Sequence, residues 1–150
     1  MRRWVKPGLI TLAVIAGVTA LWWQMSVDQS TLRLDGVLYH ISIMRTKAEL
    51  EKGLSGTDSL AQGEAMLFVF PENTVPRMWM KDMKYPIDMV WLNDATQVVH
   101  AVENAQPSSY PKTIFVSPVP ARYVIEFPAG TVEKVGIKNG DPVGLPSGVR

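Results

Sequence analysis

Hydrophobic and polar positions alternate along much of the chain after residue 30. Leu32 and Leu34 flank Arg33, and Asp35-Gly36 marks a tight hairpin turn. Val37, Tyr39, Ile41 and Ile43 then alternate with Leu38, His40, Ser42 and Met44, which predicts a strand. Met66 to Phe70 has no polar position, as expected of a central strand buried on both faces. Further strands are predicted over Met78–Lys81, Ile87–Leu92, Val98–Val102, Tyr123–Phe127 and Val143–Leu145, with turns at Asn93-Asp94 and Asn139-Gly140. Ser59–Glu64 reads as a loop and Pro71–Pro76 as a link. Gln106–Pro120 contains Pro107, Pro111, Pro118 and Pro120. It reads as a long irregular loop with a short edge strand at Ile114-Phe115-Val116.

Helical signals are brief. Thr46-Lys47-Ala48-Glu49 has the capping-box pattern and opens a helix that stops near Gly53. Gly53-Leu54-Ser55-Gly56-Thr57 resembles a nucleophile elbow but lacks its last glycine and follows a helix, so it reads as the helix stop and a loop. Pro128-Ala129-Gly130-Thr131 opens a second short helix, with Thr131 as its cap and Gly136 as its stop. Short strands with two short helices predict an α+β, mostly antiparallel domain, whose small curled or barrel-like sheet hides its edges.

Residues 1–27 follow another pattern. Arg2, Arg3 and Lys6 precede an uncharged run from Pro7 to Val27. As a helix, Gly8–Met25 would span about 27 Å, close to the thickness of the hydrocarbon core. This predicts one N-terminal transmembrane helix, retained as a signal anchor, with the N-terminus in the cytoplasm and Trp22 and Trp23 at the far headgroups. A signal peptide cleaved after Ala20 is the alternative. Either reading puts the domain outside the cytoplasmic membrane, on the periplasmic or extracellular face if anchored and secreted if cleaved. The expected boundaries are 1–27 for the anchor, 28–36 for a linker and first strand, and 37–150 for a single β-rich domain.

Apolar residues make up 47% of the 150, and their excess lies in that first segment. Net charge is +1; without Arg2, Arg3 and Lys6, 12 basic face 14 acidic residues, about −2. A weakly negative domain disfavours nucleic acid as a partner. Cysteine is absent, which removes disulfides, thiolate metal sites, a cysteine nucleophile and a lipidated cysteine anchor.

Lys81 and Asp88 interrupt the apolar stretch from Met66 to Leu92, and charges are seldom buried without a partner. If Met78–Lys81 and Ile87–Leu92 form a hairpin around Met83–Pro86, Lys81 faces Asp88, Met80 faces Met89, and Met78 faces Trp91. Trp79, Lys81, Asp88, Val90 and Leu92 then share one face. That arrangement reads either as a structural salt bridge or as a ligand pocket with a cation, a carboxylate and an aromatic floor. Glu126, among Val124, Ile125 and Phe127, is a better candidate than Tyr123 to join it. The candidate ligand-binding residues are therefore Trp79, Lys81, Asp88, Glu126 and Glu64. No catalytic, cofactor-binding or metal-ligating residue is assigned, and no cofactor is expected.

Five motifs occur in one order: Gly53-Leu54; Met66-Leu67-Phe68-Val69-Phe70; Trp79-Met80-Lys81-Asp82 with Pro86-Ile87-Asp88; Tyr123 to Gly130; and Gly136-Ile137-Lys138-Asn139-Gly140-Asp141. Together they resemble the prokaryotic family named domain of unknown function 192, over roughly Leu38 to Val143. The resemblance implies a small β-rich domain, often behind a signal peptide or anchor, and no established activity, substrate or cofactor. Where that family usually has Arg, Gly and Asn-Thr, this chain has Thr57, Ala65 and Asp82-Met83.

The leading functional expectation is a module that binds a small polar ligand or an envelope component. A hydrolase-like enzyme using Asp88 and Glu126 as acid and base is one alternative. Thioether binding of Cu(I) by Met78, Met80 and Met83, with His40 or His100 near, is another. Oligomeric state is not legible.

Overall fold

The computed structural model describes residues 30–149. The expected membrane helix and the alternative cleavage after Ala20 lie outside those residues. Among the described residues, no helix is long and apolar enough to cross a membrane.

β1 (Ser30–Leu34) and β2 (Val37–Met44) form the predicted hairpin about Asp35-Gly36, both of which take positive φ. α1 (Lys47–Lys52) opens with both halves of its capping box, as Thr46 Oγ1 accepts the Glu49 N–H and the Glu49 carboxylate accepts the Thr46 N–H. The remaining elements are β3 (Glu64–Thr74), β4 (Arg77–Met78), β5 (Ile87–Leu92), β6 (Val98–Ala105), a 3-10 turn at Pro107–Ser109, β7 (Phe115–Val116), β8 (Ala121–Pro128), α2 (Thr131–Val135) and β9 (Val143–Gly144).

Seven strands form one sheet in the order β6-β5-β8-β3-β2-β1-β9. Its pairs are antiparallel except β2–β3, whose connection carries α1. The sheet is a curled half-barrel whose outer strands meet. Gln97 bridges Pro142, the Val98 N–H donates to the Asp141 carbonyl at 2.9 Å, and the Val143 N–H donates to the Thr96 carbonyl at 2.8 Å.

Curling gives the sheet two apolar faces. Leu32, Leu34, Ile41, Leu67, Ile125 and Phe127 fill one core; Phe68, Met80, Met89, Trp91 and Val124 belong to another, with Leu50, Leu54 and Phe115 packed over it. Every residue of β5 is buried, and only Arg122 of β8 is not. This double burial explains their nearly unbroken apolar sequences. It also means that any polar side chain on either face needs a partner.

Several expectations shift. β3 runs past Pro71 to Thr74, its ladder broken between Val69 and Thr74, where a proline fits. The strand expected over Met78–Lys81 is only Arg77–Met78. It pairs with β7 in a separate ribbon, and Lys81-Asp82 is a turn with Asp82 at φ 55°. A β4–β5 hairpin is excluded because β6 and β8 occupy both edges of β5. Thr131 does not cap α2: its hydroxyl donates to the Pro128 carbonyl at 2.6 Å, and Gly130 holds the cap position at φ 83°.

Candidate functional site

Asp88 and Glu126 lie on adjacent strands and face opposite ways. Asp88 stands across from Phe127, and Met89 across from Glu126. By alternation Asp88 shares a face with Val90 and Leu92, inside the half-barrel, while Glu126 shares the other with Val124 and Met66.

Inside the half-barrel, Asp88 is fully buried and fully used. Its Oδ1 accepts the Asn104 N–H and its Oδ2 accepts the Val132 N–H, each at 2.8 Å. Val132 is in the first turn of α2, so this carboxylate caps the helix from a neighbouring strand. The predicted ion pair with Lys81 does not form. Lys81 is exposed and makes no salt bridge among the described residues. Its backbone does the positioning: the Lys81 carbonyl accepts the Ser55 hydroxyl at 2.8 Å, and the Asp82 carbonyl accepts the Gly56 N–H at 2.9 Å. These bonds tie the loop after α1 to the turn before β5.

Glu126 lies beneath that loop. It is 4% exposed, its Oε2 has no hydrogen-bond partner, and burial pushes its carboxyl up to about 8. Glu126 is among the residues that line a cavity of about 20 Å³, room for a water or one small end group. Phe68, Met78, Trp79, Met83 and the Gly53–Ser55 loop wall the cavity, with Glu51, Lys52 and Arg77 among its exposed lining residues. Gly53 lets the loop approach closely. Its φ is 46°, and a Cβ there would come 3.0 Å from the Phe68 ring.

Tyr85 extends the polar side of the site. Thr57 donates its hydroxyl to the Leu54 carbonyl at 2.6 Å. With that proton committed, the Tyr85 hydroxyl is the donor in its 2.6 Å bond to Thr57 Oγ1. Burial is the main cause that holds the phenol above its usual range, and the charges of Glu126 and Asp58 reinforce it.

Of the residues singled out from sequence, the structure therefore brings Trp79 and Glu126 together. Asp88 is on the other face and Lys81 points to solvent. Glu64 is exposed, accepts the Ala61 N–H at 3.2 Å, and lines a different hollow with His40 and Thr57. Of the soft-metal set, Met78 and Met83 line the Glu126 cavity, whereas Met80 is core at 1% exposure. His40 is on β2, and His100 on β6 packs against Trp91 with ring centroids 5.2 Å apart. No group of three or more His, Asp or Glu side chains among the described residues could hold a metal ion. Arg77 and Tyr85 were not anticipated. Arg77 adjoins the Met78-Trp79 pair already noted, but nothing local to Tyr85 points towards Glu126.

Fold and cavity together define a small half-barrel domain with one unpartnered buried carboxyl among the described residues. Residues 30–145 match the family described as "Uncharacterized ACR", domain of unknown function 192, and the chain belongs to it. A solved structure from Sinorhizobium meliloti 1021, provisionally named a transcription regulator, is 30% identical. Its match covers 76% of this chain and 91% of that one, with a TM-score of 0.70. A protein of unknown function from Novosphingobium aromaticivorans DSM 12444 is 28% identical, with a TM-score of 0.69 and coverage of 76% of this chain and 81% of that one. No curated protein matches the sequence.

Proposed function

We propose that the chain is a membrane-tethered extracytoplasmic binding domain, and that the cavity over Glu126 receives the polar end of a small ligand or envelope component. One observation carries the ligand reading. Glu126 is 4% exposed with an oxygen lacking any partner, and an unmet buried polar group costs about 1–3 kcal/mol. A ligand group entering the cavity would complete it, with the half-buried Trp79 indole as a flat wall. Pairing of Asp88 and Glu126 as acid and base finds no support, since they face opposite sides of the sheet. The provisional name of the Sinorhizobium relative would bring in nucleic acid, but the charge balance of about −2 outside the first segment does not favour it.

The tether rests on the basic start and the uncharged run from Pro7 to Val27. Two measurements test the proposal. A thermal-shift screen of small polar compounds on the full chain should yield ligands whose effect is lost in Glu126→Met, which fills similar space without a polar group; a broad screen without a shift removes the binding reading. Carbonate washing should leave the chain in the membrane pellet, and release into the supernatant removes the tether.

A further inference from the structure

The chemistry of the ligand can be narrowed, and the argument rests on the binding reading above. From the unpartnered Glu126 oxygen, the size of the cavity and the charges on its lining, we infer that it takes the carboxylate end of a small acid, with Glu126 and Arg77 as the donors. The cavity of about 20 Å³ admits an end group rather than a whole metabolite, so the rest of the ligand lies outward along Trp79.

The charged and titratable groups around the carboxyl are few. Glu51 and Lys52 come from α1 and its end, Arg77 from β4, and Tyr85 from the turn before β5. Glu51 is 3.9 Å from Lys47, and the Tyr85 hydroxyl is bound to Thr57. Lys52 and Arg77 make no salt bridge among the described residues. The lining thus presents two uncommitted cations. Burial keeps Glu126 protonated up to about pH 8, so at neutral pH it offers an O–H rather than a negative charge. A buried neutral acid donating to an oxyanion is an established device. An ammonium group or a metal ion would instead meet a neutral acid beneath two positive charges. Arginine adds a planar fork that fits a carboxylate with two parallel bonds.

Titration of the full chain in detergent micelles tests this, read from the Trp79 indole N–H in 15N spectra. The probes are benzoate, as a free acid, and N-acetylated dialanine, as a peptide chain end; saturation by either supports the inference and identifies the source. Affinity should fall at least tenfold between pH 6.5 and pH 9, as Glu126 ionises. Arg77→Gln should weaken binding about tenfold. Glu126→Gln, which keeps a donor, should still bind but lose the pH dependence. No saturation by either probe, affinity unchanged to pH 9, or full affinity in Arg77→Gln overturns the inference. If benzylammonium or Cu(I) saturates the same signal, more tightly at higher pH, the cavity is a ligand site and only the carboxylate inference falls. If none of the four probes moves the indole, both readings fall.

Discussion

Glu126 binds a proton in the folded chain over a pH range where the unfolded chain does not, because burial raises its carboxyl from 4.5 to about 8. The stability linked to that proton is fully present below about pH 4.5 and is lost as pH rises through about 8, a change on the order of 3–5 kcal/mol. The urea midpoint is therefore expected to fall between pH 5 and pH 9, and Glu126→Gln should remove most of the fall. An equally steep decline in the variant would place its cause elsewhere. Glu49 does not confuse that window. Backbone N–H groups of Arg45 and Thr46 hold its carboxyl below the usual range, so it titrates at lower pH. Asp88 has a different task, since Asp88→Ala leaves the Asn104 and Val132 N–H groups without acceptors. The expected loss is about 2–4 kcal/mol by urea unfolding. Lys81→Ala, at an exposed side chain without an ion pair, should change stability by less than about 0.5 kcal/mol. A large Lys81 effect would revive the salt bridge that the fold excludes.

Among the elements, the loop that leaves α1 is the roof of the cavity, and Gly53 sets its height. Gly53→Ala must place a Cβ at φ 46° and 3.0 Å from the Phe68 ring, which should cost about 1–3 kcal/mol in thermal unfolding. How far the sequence could be read follows from which interactions are local. The β1–β2 hairpin, the capping box of α1 and the two-faced strands β3 and β8 each declare themselves within a few residues. The partner of β5 does not. Alternation over Met78–Lys81 and Ile87–Leu92 reports facing, whereas pairing is decided by β6 and β8, which compete for the same edges from farther along the chain. Asp88 was misread for that reason: its acceptors serve Asn104 and Val132, the latter 44 residues away. Glu126 was found because a charge inside an apolar run needs explaining whichever strand lies beside it. Thr131 illustrates the same limit at a helix end. Its residue type suits a cap, but its hydroxyl is engaged by Pro128.

At the scale of the whole molecule, curvature brings β6 and β9 together from opposite edges of the sheet. The amides of Val98, Gly140 and Val143 donate across that seam. They should exchange with solvent as slowly as those of the central strands, and exchange at loop rates would show the seam to be open. The connection has a further result in time. β1 is paired on one side by β2 and on the other by β9, with Leu34 against Val143. A polypeptide emerging in sequence order leaves Leu32 and Leu34 half-covered until residues near 143 arrive. Completion of the sheet therefore waits for the residues near Val143. A nascent chain arrested short of Pro142 would remain an easy target for proteases.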